Sequence, residues 1–198
     1  MTAIGVRIVL VFVLTLISLP QTGFGQDLHP SRRPSPMGMS RTTLDDTYVR
    51  VVYSRPYERG RDNIFGTEES EALVPYGKIW RTGANEATEL TVTGDVMIGD
   101  QRLPAGTYSL FTTPGPETWK VHFNSALGLS GTGIFNTETR EFTPLDLPAT
   151  DVLVYEAEVG TLTEEVDQLT FAFEDSDAGA DLCLRWITTE MCVPISQP

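Results

Sequence analysis

Only two histidines and two cysteines occur in this 198-residue chain, and that scarcity removes whole classes of chemistry. His29 and His122 are too few to build the multi-histidine sites that hold zinc or iron, so no metal is expected. Positive charge is also scarce: 14 lysines and arginines stand against 27 acidic residues, a formal charge of −13. A surface of that sign repels phosphate backbones and anionic headgroups, so nucleic acid is excluded as a partner. The longest apolar run, Ile8 to Leu19, is about a dozen residues, short of the roughly 20 that span a bilayer. No window of that size carries a sustained 3.6-residue apolar period, which argues against helices. The glycine-rich stretch Gly128 to Gly133 has no helix after it to bind phosphate, and Ser130 does not sit in a Gly-x-Ser-x-Gly elbow. No cofactor is implied.

What is present begins with an address. Arg7, the apolar run to Leu19, Pro20 and the small-x-small site Gly23-Phe24-Gly25 together read as a secretory signal peptide over residues 1–25. The mature chain then starts near Gln26, is exported to the periplasm or outside the cell, and has no stable membrane insertion once the signal is cut. Residues 26–43 are rich in Pro, Ser, Arg and Met without any period, and read as a flexible N-terminal tether. Residues 44–197 are of a size to bury a real interior as one domain.

That domain reads as strands. Thr47 to Ser54 places Val49, Val51 and Tyr53 on one side. Glu89 to Thr93 and Val96 to Ile98 flank Gly94-Asp95, a hairpin-turn signal. Thr107 to Thr112 follows Pro104-Ala105-Gly106, and Trp119, Val121 and Phe123 alternate with Lys120, His122 and Asn124, which makes His122 a surface strand residue. Leu153, Tyr155, Ala157 and Val159 form one further stripe, and Leu169, Phe171 and Phe173 another. The expectation is an all-β, antiparallel β-sandwich (jelly-roll-like) with a long irregular loop at residues 55–87.

The two cysteines allow a finer expectation. Leu182, Leu184 and Trp186 alternate with Cys183, and Met191, Val193 and Ile195 alternate with Cys192. A hairpin that sets Cys183 opposite Cys192 brings both apolar rows onto one face, as a period of two demands. The register that joins the sulfurs is also the one that buries the core, so a Cys183–Cys192 disulfide is expected in an exported protein.

Two connections break the strand rhythm. The second, Ser125 to Thr143, is rich in Gly, Thr and Asn and reads as mobile. The first, 55–87, is long enough to suggest function and gathers Arg55, Arg59, Arg61, Lys78 and Arg81 in an otherwise acidic protein. It ends on Trp80-Arg81-Thr82-Gly83-Ala84-Asn85-Glu86, where an aromatic ring, a guanidinium, an amide and a carboxylate stand within seven residues. Arg81 with Glu86, plus Arg55 or Arg61, could line a pocket for a glycan or an anionic small molecule, with Trp80 as its wall and Asn85 orienting the ligand. The competing account is a structural Arg81–Glu86 lock that pins the loop to the sheet, and solvation favours it, since buried arginines need partners. A hydrolase would need Glu86 as acid or base and a second carboxylate, with Glu58, Asp62 and Glu89 near it in sequence. Adjacent arginines hold Glu86 ionised, so the balance tilts away from catalysis.

Several blocks occur in fixed order: Tyr53-Ser54-Arg55-Pro56, Gly60-Arg61, Ile64-Phe65-Gly66, the run from Val74 to Thr88, Leu103 to Phe111, and Trp119 to Asn124. Together they resemble the bacterial secreted family called domain of unknown function 2911, over roughly residues 35 to 197. The resemblance implies an exported, mostly β domain of undetermined activity. After Asn124 the chain departs from the family, which has a Trp-Gly-aromatic block where Leu127-Gly128-Leu129-Ser130-Gly131 stands here. The leading expectation is a non-catalytic binding or accessory module, with a Glu86 hydrolase or a purely structural envelope protein as alternatives.

Overall fold

The computed structural model describes residues 29–61 and 63–198. The signal assigned to 1–25, the first residues of the tether and Asp62 lie outside the described residues. In chain order the strands are β1 (Met37–Leu44), β2 (Thr47–Ser54), β3 (Phe65–Gly66), β4 (Val74–Pro75), β5 (Thr88–Val92), β6 (Val96–Ile98), β7 (Gln101–Leu103), β8 (Gly106–Thr113), β9 (Thr118–Asn124), β10 (Gly133–Asn136), β11 (Glu141–Pro144), β12 (Asp151–Ser176) and β13 (Gly179–Ser196). The only helical turns among the described residues are two short 3-10 segments, Pro30–Arg32 and Leu147–Thr150. The protein is all-β, and none of its described helices is long and apolar enough to cross a membrane.

The main ladder runs β1-β2-β5-β8-β9-β12-β13-β6-β7, with no pairing between its ends to close a barrel. It folds into two facing layers because β12 serves both. Its first part pairs with β9 from Asp151↔Asn124 to Glu158↔Thr118. It pairs with β13 first at Val159↔Met191 to Thr161↔Thr189 and, after register shifts between Thr161 and Thr170, again from Thr170↔Arg185 to Ser176↔Gly179. Between the layers lie the alternating rows expected of a period of two: Val49, Val51 and Tyr53 from β2, Val121 and Phe123 from β9, Leu182, Leu184 and Trp186 from β13, all buried. Each such side chain contributes about 1.5–3 kcal/mol on leaving water. A smaller cluster, Ala87, Phe111, Leu129 and Leu147, covers the outer face of β8.

Strand β13 doubles back on itself at Ile187, which adopts φ 52°. Cys183 and Cys192 are disulfide-bonded with their Cα atoms 4.0 Å apart, and a side chain at Gly179 would come 2.4 Å from the carbonyl of Ile195. Both contacts belong to one antiparallel register, which sets Leu184 beside Met191 and Leu182 beside Val193. This is the arrangement the alternating rows require.

Three local expectations are corrected. Residues 37–43, assigned to the tether, form most of β1 and pair along β2 from Met37↔Ser54 to Leu44↔Thr47. Their outward side chains include Met37 and Met39, so burial alternates only between exposed and half-buried and leaves no apolar row to read. Gly94-Asp95 is not a hairpin: β5 pairs with β2 and β8, whereas β6 pairs with β7 and β13, so the chain there crosses between layers. Asp95 anchors the crossing by accepting from the Ala105 amide at 2.8 Å and from Arg102. Finally, the segment 125–143 holds all but the last residue of the β10–β11 hairpin, paired from Gly133↔Pro144 to Asn136↔Glu141.

Candidate functional site

The long connection between β2 and β5 is irregular apart from the two-residue parallel pair β3–β4. Its last part, 80–88, folds into a compact loop closed by the Thr88 amide donating to the Arg81 carbonyl at 3.2 Å. Trp80 ties the loop to the sheet through reciprocal backbone bonds with Thr112, 2.7 and 2.9 Å long. Two non-glycine residues of the loop, Thr82 and Asn85, adopt left-handed conformations with φ 54° and 56°. Strain of this kind costs of order 1–3 kcal/mol per residue and gathers at functional sites.

Beside the loop opens a cavity of about 340 Å³, lined among others by Tyr57, Arg59, Arg61, Trp80, Arg81 and Trp186. Its size falls within the usual range for small-molecule sites, about 300–1,000 Å³. Trp80 stacks on Trp186 at 6.1 Å and 16° and meets Phe65 and Trp119 edge-to-face. All three indole N–H groups are spent inside the protein: Trp80 on the Gly83 carbonyl, Trp119 on Gly115 and Trp186 on Asp167. No Asp, Glu, Asn or Gln belongs to the described lining.

Of the three guanidiniums that line the cavity, two have partners among the described residues and one has none. Arg61 donates to the Tyr57 carbonyl and Arg59 to the Pro34 carbonyl. Arg81 is half-buried, yet among the described residues its guanidinium has no hydrogen bond and no ion pair; its Nε is fully enclosed and unpartnered, as is that of Arg61. Burial alone pulls the Arg81 pKa below the usual arginine value, with no carboxylate to oppose it. The loop after β9 closes tightly over this side chain, since a Cβ at Gly131 would stand 2.8 Å from Arg81 Nη1.

The other sequence candidates do structural work. Arg55 donates to the Leu169 carbonyl at 3.1 Å and to Thr170 Oγ1 at 2.8 Å, covering the open edge of β12. Asn85 donates to the Ser35 carbonyl and to Ser54 Oγ. Glu86 pairs with Arg33 at 2.5 Å, not with Arg81, and faces a separate cleft of about 200 Å³ together with Tyr53 and Leu129. The expected Arg81–Glu86 lock does not exist. Burial pushes the Glu86 carboxyl up, but the Arg33 hydrogen bond, its backbone bond and the Arg33 charge outweigh that and hold it below the ordinary carboxylate value. An ionised, cation-paired carboxylate is poorly suited to act as a general acid.

Asn85, Glu86, Arg59 and Arg55 share one task. Each grips the segment 33–36: Glu86 holds Arg33, Arg59 the Pro34 carbonyl, Asn85 the Ser35 carbonyl, and the Arg55 amide the Pro36 carbonyl. Ser35 also lines the cavity, so this segment is a strap forming part of its wall. Of the sequence candidates, Arg61, Trp80 and Arg81 line this cavity together, alongside Tyr57, Ser35 and Trp186, which sequence reasoning did not single out. Trp186 was legible only as a core residue by alternation.

Two further groups bear on chemistry. His122 is buried, not a surface residue: Nδ1 meets Asp151 Oδ2 at 2.7 Å and Nε2 meets Thr113 Oγ1 at 3.0 Å. Asp151 also accepts from Asn124 at 2.8 Å, and the network ties β8, β9 and β12 together away from the Trp80 cavity. Among the described residues, the group with metal-binding proximity is Cys183, Glu190 and Cys192, but the two sulfurs are bonded to each other.

A family model described as a protein of unknown function, DUF2911, matches residues 35–195, most of the chain. The chain belongs to the DUF2911 family. The match begins within the strap and ends in β13, so the DUF2911 unit contains both layers and the whole described cavity lining. No curated protein and no solved structure matches the chain.

Proposed function

We propose that this DUF2911 protein is an exported, non-catalytic binding module whose Trp80–Arg81 cavity takes a glycan or an anionic small molecule. One observation carries the reading: half-buried Arg81 borders the cavity, and among the described residues its guanidinium has no hydrogen-bond or ion-pair partner. An unpaired charge in such a position costs stability, and a bound anion offsets that cost. The disulfide fits an oxidising compartment. The hydrolase alternative loses its support, because Glu86 is pinned to Arg33 and does not line this cavity. A purely structural role for Arg81 lacks the carboxylate it would require.

The test is calorimetric titration of benzoate, glucuronate and glucose into the wild-type protein and into Arg81→Met and Trp80→Ala. Binding of at least one probe that is lost in both variants is the expected result. A protein that binds none of the three, with Arg81→Met altering only its melting, overturns the reading in favour of a structural one.

A further inference from the structure

We infer that the cavity selects a dianion with a flat or apolar body over a neutral sugar, a conclusion that rests on the binding role just proposed. The supply of charged groups is one-sided, and only the Ser35 and Tyr57 hydroxyls among the described lining side chains can accept as well as donate. Arg59, Arg61 and Arg81 all line the space, and a guanidinium only donates. The carbonyls that meet two of them, those of Pro34 and Tyr57, are already accepting. The described lining holds no carboxylate and no carboxamide. A neutral sugar donates as often as it accepts, so its hydroxyl hydrogens would find few acceptors here, and buried unpaired donors weaken binding.

An oxyanion has the opposite character. It accepts only, and charge-assisted bonds from a guanidinium are about twice as strong as neutral ones. Three guanidiniums border the space and no carboxylate belongs to the described lining, so the site holds more positive charge than a single carboxylate neutralises. The remaining wall sets the body of the ligand. Leu73, Val74, Trp80 and Trp186 are apolar there, and the indole N–H groups of both tryptophans are occupied. Trp186 and Val74 are almost fully buried, so Trp80 and Leu73 supply most of the apolar surface a ligand would touch, which suits a planar or hydrocarbon body.

The experiment holds the body constant and varies the charge. Isophthalate and phenyl phosphate at pH 8 are dianions, benzoate is a monoanion and benzamide is neutral, with glucose as the sugar control. The expected order is dianion over monoanion by about ten- to hundredfold, the gain from one more charged hydrogen bond, with benzamide and glucose weaker still. Affinity for the dianion falls with added salt while that for benzamide does not. Comparing isophthalate with phenyl phosphate separates paired carboxylates from a phosphate group. Arg61→Gln, which removes one of the three lining cations, narrows the ratio of isophthalate to benzoate affinity, and an unchanged ratio overturns the charge selection. Equal affinity for isophthalate, benzoate and benzamide, or a preference for glucose, overturns the charge selection but leaves a binding module. Absence of binding by all five removes the underlying role as well.

Discussion

At the scale of single residues, the same side-chain type does opposite work depending on its partners. Arg55 closes a backbone edge, whereas Arg81 is left without a counterpart. Replacing Arg81 with Met keeps the apolar stem and removes a poorly solvated charge. The unfolding free energy measured in urea is therefore expected to stay level or to rise, by up to about 1 kcal/mol. A loss of several kcal/mol would reveal a partner that Arg81 depends on. Tyr53 illustrates the contrary case. Its hydroxyl accepts from the Phe171 amide at 2.9 Å and donates to the Phe171 carbonyl at 3.3 Å, satisfying both polar groups of one residue on the edge of β12. Tyr53→Phe strands a buried amide and is expected to cost about 1–3 kcal/mol. A shift of the urea midpoint too small to register would mean that water replaces the hydroxyl.

At the scale of elements, the strap 33–36 is the segment whose state depends on pH. Glu86 has its pKa lowered in the folded protein. A depressed carboxyl stabilises the folded arrangement at pH above its unfolded value of 4.5, and that contribution fades as pH falls through the lower folded value. The Arg55 amide, which donates to the Pro36 carbonyl at 2.8 Å, reports on the strap. Its exchange protection is expected to hold from pH 7 to 5 and to drop at lower pH. In Glu86→Gln the protection is already reduced at pH 7 and no longer changes through the acid range. Protection that is identical in both proteins would show that the three remaining grips suffice. The strap was hidden from sequence reading for a physical reason. Three of its four grips use a backbone carbonyl as acceptor, and a carbonyl leaves no mark on residue identity. The partners Arg55, Asn85 and Glu86 were conspicuous in the sequence, but their chemistry fits a ligand as well as it fits a neighbouring backbone. Elements with strong alternation, such as β2, β9 and β13, were legible because a half-buried strand must repeat every second residue. At Gly94-Asp95 the residues suit a tight turn equally well whether the chain returns along one sheet or crosses to the other, and only the pairing partners decide.

For the molecule as a whole, the central structural problem is how the ends of a nine-strand ladder are held in two layers without closing a barrel. Part of the answer lies in the doubled-back β13, where the cross-link and the apolar rows specify the same register. These two contributions separate on removal of the sulfurs. The bond joins residues 9 apart in sequence, and constraining so short a loop in the unfolded chain is worth about 2–3 kcal/mol in the chain-entropy account. Leu182, Leu184 and Trp186 are buried with Met191, Val193 and Ile195, and the driving force for that burial does not depend on the sulfurs being joined. A shift of one residue would turn either row to solvent, which costs far more than the bond contributes, at about 1.5–3 kcal/mol per exposed side chain. The double replacement Cys183→Ala with Cys192→Ala is accordingly expected to lower the unfolding free energy by about 2–3 kcal/mol and to leave the near-ultraviolet tryptophan signal and the exchange-protected amides of β12 and β13 unchanged. If the variant instead loses that signal while keeping its strand content, the cross-link sets the register and the alternating rows merely follow it.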